Sequence, residues 1–206
     1  MKKVGILGGT FNPIHMAHLI LAEIALEDAK LDEVLFIPSG CSYLKDAEDI
    51  LPAKDRIRMT GLAIEDNPNF ALSTIETDRE GNSYTCDTLA ELKKRYPDQE
   101  YYLILGADNL FTMEEWKDPE VIFQNAKILA AVRGSKKRAD MEEKIAELKE
   151  KYNADITLLS IHHVDISSSV IREKVAEGLS IRYMLPEKVR EYIIKNHFYE
   201  KKDVQE

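Results

Sequence analysis

Six short apolar runs recur along this chain, and amphipathic segments separate most of them. The runs cover 3–7, 33–38, 70–75, 101–106, 127–132 and 155–160. Most are rich in Val, Ile, Leu or Phe, as suits strands buried on both faces of a parallel sheet. Between them, the spacing predicts helices over 15–29, 54–65, 85–96 and 139–152. Two more, over 168–177 and 187–196, follow the last run as a C-terminal helical extension. Gly178 stands just after the first of these and Pro186 just before the second, at the places where helices stop and start. Strand–helix alternation predicts an α/β fold with a doubly wound parallel sheet and right-handed crossovers. A length of 206 residues fits one domain, 1–206. In such folds ligands sit beyond the carboxyl ends of the strands, where the strand order reverses. The segments 8–14, 39–53 and 76–84 are therefore the places to look.

Composition narrows the classes of function. The formal net charge of -9 argues against general nucleic-acid binding, which needs a basic face, but leaves room for a local cationic phosphate site. Two cysteines, Cys41 and Cys86, make no disulfide framework. Lys2-Lys3 and the apolar run behind them break at once into Gly8-Gly9, so they do not read as a secretion signal. No stretch is long and apolar enough to span a bilayer. A cytoplasmic protein is expected, with neither nucleic acid nor membrane as partner. The number of subunits stays open.

The most informative stretch is Gly8-Gly9-Thr10-Phe11-Asn12-Pro13-Ile14-His15-Met16-Ala17-His18, between the first strand and the first helix. Glycines allow close backbone approach to a ligand, and a helix start favours an anion. His15 and His18 are three residues apart and share one face of the first turn. Two imidazoles there suit phosphoryl oxygens that gain charge during transfer. A tight connection without function also fits the glycines. A metal site fits less well, because the pair lacks the spacing and the glutamate of a zinc-protease helix. The spacing of Gly5, Gly8 and Gly9 matches no dinucleotide fingerprint, and no Walker lysine follows.

A second stretch, Asp165-Ile166-Ser167-Ser168-Ser169-Val170-Ile171-Arg172, opens the helix after the last strand. Serines there suit an N-cap. Hydroxyls and N–H groups with Arg172 one turn in also suit a phosphate, although on these residues alone a cap is the commoner explanation.

Together these stretches resemble the two signatures of the nucleotidyltransferase superfamily, G-x-F-D/N-P-x-H-x-G-H and I-S-S/A-T-x-I-R. Ala17 replaces the usual Gly, and Ser169 the usual Thr. Several further segments resemble bacterial nicotinate mononucleotide adenylyltransferases in particular. They are Ser83-Tyr84-Thr85-Cys86-Asp87-Thr88, Gly106-Ala107-Asp108, the single Trp116, and the tail 178–199. The resemblance covers 3–199 and implies ATP and nicotinate mononucleotide as substrates. It implies a catalytic set of His15, His18 and Arg172, with the two histidines at the reacting phosphates and Arg172 holding the outer ones. Gly8, Gly9, Thr10, Phe11, Gly106, Asp108, Ile166, Ser167, Ser168 and Ser169 would bind the nucleotide. Tyr84 and Thr85 would take the nicotinate carboxylate, and Trp116 would stack on its ring. Each also has a plain structural reading: Thr85 or Asp87 as cap of its helix, Asp108 as cap of a short helix over 109–115, and Trp116 as packing. Two loops depart from the family. Only Lys45 remains of a P-P-H-K stretch, and Arg133 stands in Val132-Arg133-Gly134-Ser135, one residue shorter than the family's text. Lys45 would hold outer phosphates and Arg133 the mononucleotide phosphate. Mg²⁺ is expected on the ATP phosphates, mostly water-ligated, with no protein cage. The charged run 135–151 reads as a solvated helix without a catalytic role, and His162-His163 receive none. The alternatives are a pantetheine-phosphate adenylyltransferase and a non-catalytic nucleotide-binding module.

Overall fold

The computed structural model describes residues 1–40, 50–132, 138–159 and 164–201. Lys45, Arg133, His162 and His163 lie outside the described residues. In chain order the elements are β1 (Lys2–Gly9), α1 (Met16–Asp28), β2 (Glu33–Pro38), α2 (Ala53–Ile64), β3 (Phe70–Leu72), α3 (Thr85–Arg95) and β4 (Gln99–Gly106). Two 3₁₀ turns follow, Ala107–Phe111 and Met113–Glu115, then α4 (Pro119–Asn125), β5 (Ala126–Ala131) and α5 (Arg138–Tyr152). β6 (Ile156–Leu159), α6 (Ser168–Ala176) and α7 (Glu187–Lys195) are the last elements among the described residues.

All six strands join one parallel sheet in the order β3-β2-β1-β4-β5-β6. The order reverses between β1 and β4. Along the strands, alternate residues feed two separate cores, as the two-residue period of a strand requires. Val4, Ile6, Tyr101, Leu103 and Leu105 face one core, with Leu89 and Leu92 of α3 and Ile122 of α4. Leu7, Tyr102 and Ile104 face the other, with Leu21 and Ala25 of α1 and Ile171 of α6. Register then opens a gap. β1 pairs with β2 as far as Gly9↔Pro38, but with β4 only as far as Ile6↔Leu103. Beyond that pair the two central strands part, and the site described below fills the opening.

Several elements differ from the sequence reading. β1 takes in Gly8 and Gly9, so the first loop starts at Thr10. The expected third strand ends early at Leu72. Past it, hydroxyls take over: Ser73 Oγ accepts from the Ile75 N–H, and Thr74 Oγ1 donates to Asp78. The helix expected over 109–115 is the pair of 3₁₀ turns instead. Helix α4 was not expected. Its seven residues are too few to show a helical period, although Pro119 stands at its first turn.

The first loop is held from several directions. Arg56 on α2 is 3% exposed, and it donates to Thr10 O at 2.8 Å and to Leu51 O at 3.0 Å. Asn12 is 4% exposed, and its Oδ1 accepts from the Leu51 N–H and the Tyr199 hydroxyl. Arg172 Nη1 donates to Asn12 O at 3.0 Å, and Ser168 Oγ to Pro13 O at 2.8 Å. The two sequence signatures thus touch across the chain.

Replacing Arg56 with Met keeps much of the buried volume but leaves two carbonyls without this donor. The expected cost is about 2–3 kcal/mol in unfolding free energy, because the lost bonds are charge-assisted and buried. Urea denaturation of Arg56→Met against the parent measures it. An unchanged midpoint would mean that Arg56 does not anchor the loop.

Candidate active site

Above the parted ends of β1 and β4 lies a cavity of about 450 Å³. Gly8 and Gly9 of β1 and His18 of α1 contribute one set of lining groups. Tyr84 and Thr85, at the start of α3, contribute another, with Trp116 and Lys117. Gly106 and Asp108 come from the end of β4 and the turn behind it.

The two histidines differ in position. His15 is the N-cap of α1 and is 3% exposed. His18 lines the cavity, its ring stacked on that of His15 with centroids 3.8 Å apart. The His15 N–H donates to His18 Nδ1 at 3.3 Å. A neutral imidazole that accepts at Nδ1 carries its proton on Nε2. Phe11 fixes the ring from another direction, edge-on at 5.1 Å. Phe11 is itself 2% exposed and packs on Phe36, so its ring serves the core as well as supporting His18. Little anion-binding capacity is left in the start of α1 itself. The Met16 N–H donates to Met184 O, and the His18 N–H to His15 O.

In the serine signature, Ser167 is the N-cap of α6 and accepts from the Val170 N–H. Its hydroxyl also lies 3.1 Å from that of the exposed Ser169. Ile166 packs beside the core that holds Leu7, Ile104 and Ile171. Ser168 and Arg172 spend hydrogen bonds on the first loop, as described above. None of the described residues from Ile166 to Arg172 is among the residues that line the cavity. Ser168 and Arg172 bear on it through the loop backbone they hold.

At the third wall, Tyr84 is the N-cap of α3 without a side-chain cap bond. Thr85 and Asp87 therefore do not cap this helix. Gly106, not Asp108, holds the cap position of the turn after β4, and Asp108 is exposed. Trp116 is half-buried beside the core that holds Leu89, Leu103 and Ile122.

Other groups went unmarked in the sequence. Glu76 lines the cavity. Its carboxylate accepts from Thr88 Oγ1 at 3.0 Å and from the Gly40 N–H, and its carbonyl accepts from Ser83 Oγ. Burial pushes its pKa up, against the pull of Thr88, Arg79 and Gly40. Gly40 must be glycine, since a Cβ there would lie 2.4 Å from Glu76 O. Ser39 Oγ lies buried at the cavity with no hydrogen-bond partner among the described residues. Lys117 Nζ pairs with Asp87 at 3.0 Å and sits 4.6 Å over the Tyr84 ring. Glu114 accepts from Lys144 at 2.6 Å, Lys151 at 2.7 Å and the Tyr152 hydroxyl at 3.3 Å. Those ammonium groups hold its carboxyl down to about 2. Helix α5 is thus not simply solvated. Met141 and Leu148 bury one face, and three of its side chains grip the turn that carries Trp116. Single charged residues in loops give no periodic signal, and their partners are remote in sequence.

Residues 6–174 match the cytidylyltransferase-like family. A probable nicotinate-nucleotide adenylyltransferase of Lachnoclostridium phytofermentans is 51% identical over 199 residues, which are 97% of this chain and 100% of that protein. One of Dehalococcoides mccartyi is 42% identical over 201 residues, 96% of this chain and 97% of that one. Among solved structures, the Plasmodium falciparum nicotinic acid mononucleotide adenylyltransferase complexed with NaAD superposes with a TM-score of 0.79 at 22% identity. That match covers 97% of this chain and 98% of the other. It shows a shared fold, and the bacterial relatives carry the rest: the chain belongs to the nicotinate-nucleotide adenylyltransferase family of cytidylyltransferase-like proteins.

Proposed function

We propose that this chain, acting as a single domain over 1–206, transfers the adenylyl group of ATP to nicotinate mononucleotide. The products are nicotinate adenine dinucleotide and pyrophosphate. The observation that carries the reading is the make-up of one cavity at the strand-order reversal. Gly8, Gly9 and His18 offer close approach and a donor suited to phosphates. Tyr84, Thr85 and Trp116 offer a helix start and a flat ring suited to an anionic pyridine. The buried hydroxyl of Ser39 adds a polar group that a ligand would satisfy. The relatives' names support the same substrates.

The chemistry needs no covalent enzyme intermediate. A 5′-phosphate oxygen of the mononucleotide attacks the α-phosphorus of ATP. A new P–O bond forms, the bond from the α-phosphorus to the α–β bridging oxygen breaks, and pyrophosphate leaves with that electron pair. Catalysis is then positioning plus stabilisation of growing charge. His18 would donate its Nε2–H to a phosphoryl oxygen. His15 would back it, since its N–H fixes the Nδ1 acceptor and its ring stacks on the other. Arg172 and Ser168 would keep the first loop in place while bringing positive charge close to it. Asp108 would accept from a ribose hydroxyl. Lys45 and Arg133 stay assigned to phosphates. Mg²⁺ would arrive on the ATP phosphates as part of that substrate. Among the described residues no helix is long and apolar enough to cross a membrane, and we assign the reaction to the cytoplasm.

His18→Ala should lower kcat about a hundredfold with little change in KM, because the donor acts where charge develops. Steady-state kinetics on both substrates measures this. A raised KM with an unchanged kcat would remove His18 from that role. Nicotinate mononucleotide should also be preferred over the nicotinamide form by about tenfold to a hundredfold in kcat/KM. The amide would set its NH₂ donors against N–H donors at the start of α3, at roughly 1–3 kcal/mol for each mismatched group. A panel of both mononucleotides and phosphopantetheine, each with ATP, tests this. Equal values for the two mononucleotides would refute the carboxylate site, and turnover of phosphopantetheine alone would refute the substrate class.

A further inference from the structure

We propose that Lys117 is a positioning residue that locks the Trp116 ring against the start of α3, and so sets affinity for the mononucleotide without taking part in the chemical step. The inference rests on the reading above, in which Trp116 takes the pyridine ring and Tyr84–Thr85 its carboxylate.

Trp116 is poorly held by its own segment. It ends the three-residue turn Met113–Glu115, and its N–H reaches back to Met113 O at 3.2 Å. Such turns are short and have poor hydrogen-bond geometry. Two residues further on, Asp118 adopts a left-handed conformation (φ 46°), so no regular structure continues from Trp116 on that side until α4 begins. Support has to come from side chains. On the upstream side Glu114 supplies it, through Lys144, Lys151 and Tyr152 of α5. On the downstream side Lys117 supplies it. Its ammonium donates to both Asp87 oxygens, at 3.0 and 3.2 Å, and lies over the Tyr84 ring.

Both partners of Lys117 belong to one place. Tyr84 is the N-cap of α3, and Asp87 lies in its first turn. Lys117 therefore fixes the distance between the proposed ring shelf and the proposed carboxylate site. The mononucleotide must span that distance with a rigid ring, so an unclamped shelf has to be ordered each time the substrate binds. That cost falls on binding. The reacting phosphates belong to the His18 wall, so the chemical step is spared. The Lys117 and Asp87 side chains are 44% and 40% exposed, and a pair of that kind is weak alone. The added ring contact and the shared helix start keep the expected effect modest but measurable.

A rival role is direct attraction of the nicotinate carboxylate by the Lys117 charge. Asp87→Asn separates the two. Freed from Asp87, a directly acting lysine would bind the carboxylate better, whereas a clamp would be lost.

The test combines kinetics on ATP and nicotinate mononucleotide with acrylamide quenching of Trp116, the single tryptophan of the chain. For Lys117→Ala we expect KM for the mononucleotide to rise about three- to tenfold, of the order lost with a weak ion pair and a ring contact. kcat and KM for ATP should stay within about twofold, and Trp116 should become more accessible to acrylamide. Lys117→Arg should restore both readouts. Asp87→Asn should match Lys117→Ala, and the double variant should add nothing further. A lower KM in Asp87→Asn, an equal fall in kcat, or unchanged quenching in Lys117→Ala would each overturn the clamp. In the parent, nicotinate mononucleotide should quench Trp116. Failure there would refute the ring site itself, while the acrylamide comparison would still judge whether Lys117 holds the shelf.

Discussion

The backbone carbonyls of Thr10, Asn12 and Pro13 carry most of the order at the mouth of this sheet. The loop they belong to is neither helix nor strand, so it cannot satisfy its own acceptors. Donors come instead from α2 and α6: Arg56 to Thr10, Arg172 to Asn12, Ser168 to Pro13. A buried carbonyl without a donor costs as much as a lost hydrogen bond, so each contact also selects one loop conformation. That conformation delivers Phe11 into the core beneath His18 and sets His15 at the start of α1. Asn12 works in the same way through its side chain, with Leu51 and Tyr199 as donors. Burial pushes the Tyr199 phenol pKa up from its already alkaline ordinary value, so it stays a protonated donor further into the alkaline range.

This arrangement shows why a structural and a functional reading of one motif need not compete. The serine run does cap α6, through Ser167. Its neighbours Ser168 and Arg172, in the same turn, brace the loop that bears the glycines and histidines. Their reach into the proposed chemistry is therefore partly indirect. Removing Arg172 would disturb the loop and the local charge together, so a rate loss alone would not separate the two.

Much of the fold was legible because it rests on periodic signals. Alternating apolar runs mark strands buried on both faces, and the parallel order follows from the helices between them. The signatures were legible because glycines, paired histidines and a serine run have chemistry that depends on close spacing. What escaped the sequence was local competition and remote pairing. Hydroxyls at Ser73 and Thr74 ended β3 early, and α4 was too short for a helical pattern to emerge. Arg56, Glu76 and Lys117 are single charged residues whose meaning depends on partners that only the folded chain supplies. The burial of the Phe11 ring beneath His18 likewise depends on partners that the sequence does not place beside it.

The bond from the Tyr199 hydroxyl to Asn12 joins residues 187 positions apart. During synthesis on the ribosome, Asn12 waits for 187 further positions before this partner exists. Closing so long a span costs entropy that grows with its logarithm, and it is met only once α6 and α7 have docked. A growing chain can thus build its first strands and helices while the loop over 10–13 still lacks a restraint. The last brace on the loop comes from the tail, so a nascent or clipped chain would hold that loop less firmly than the folded chain.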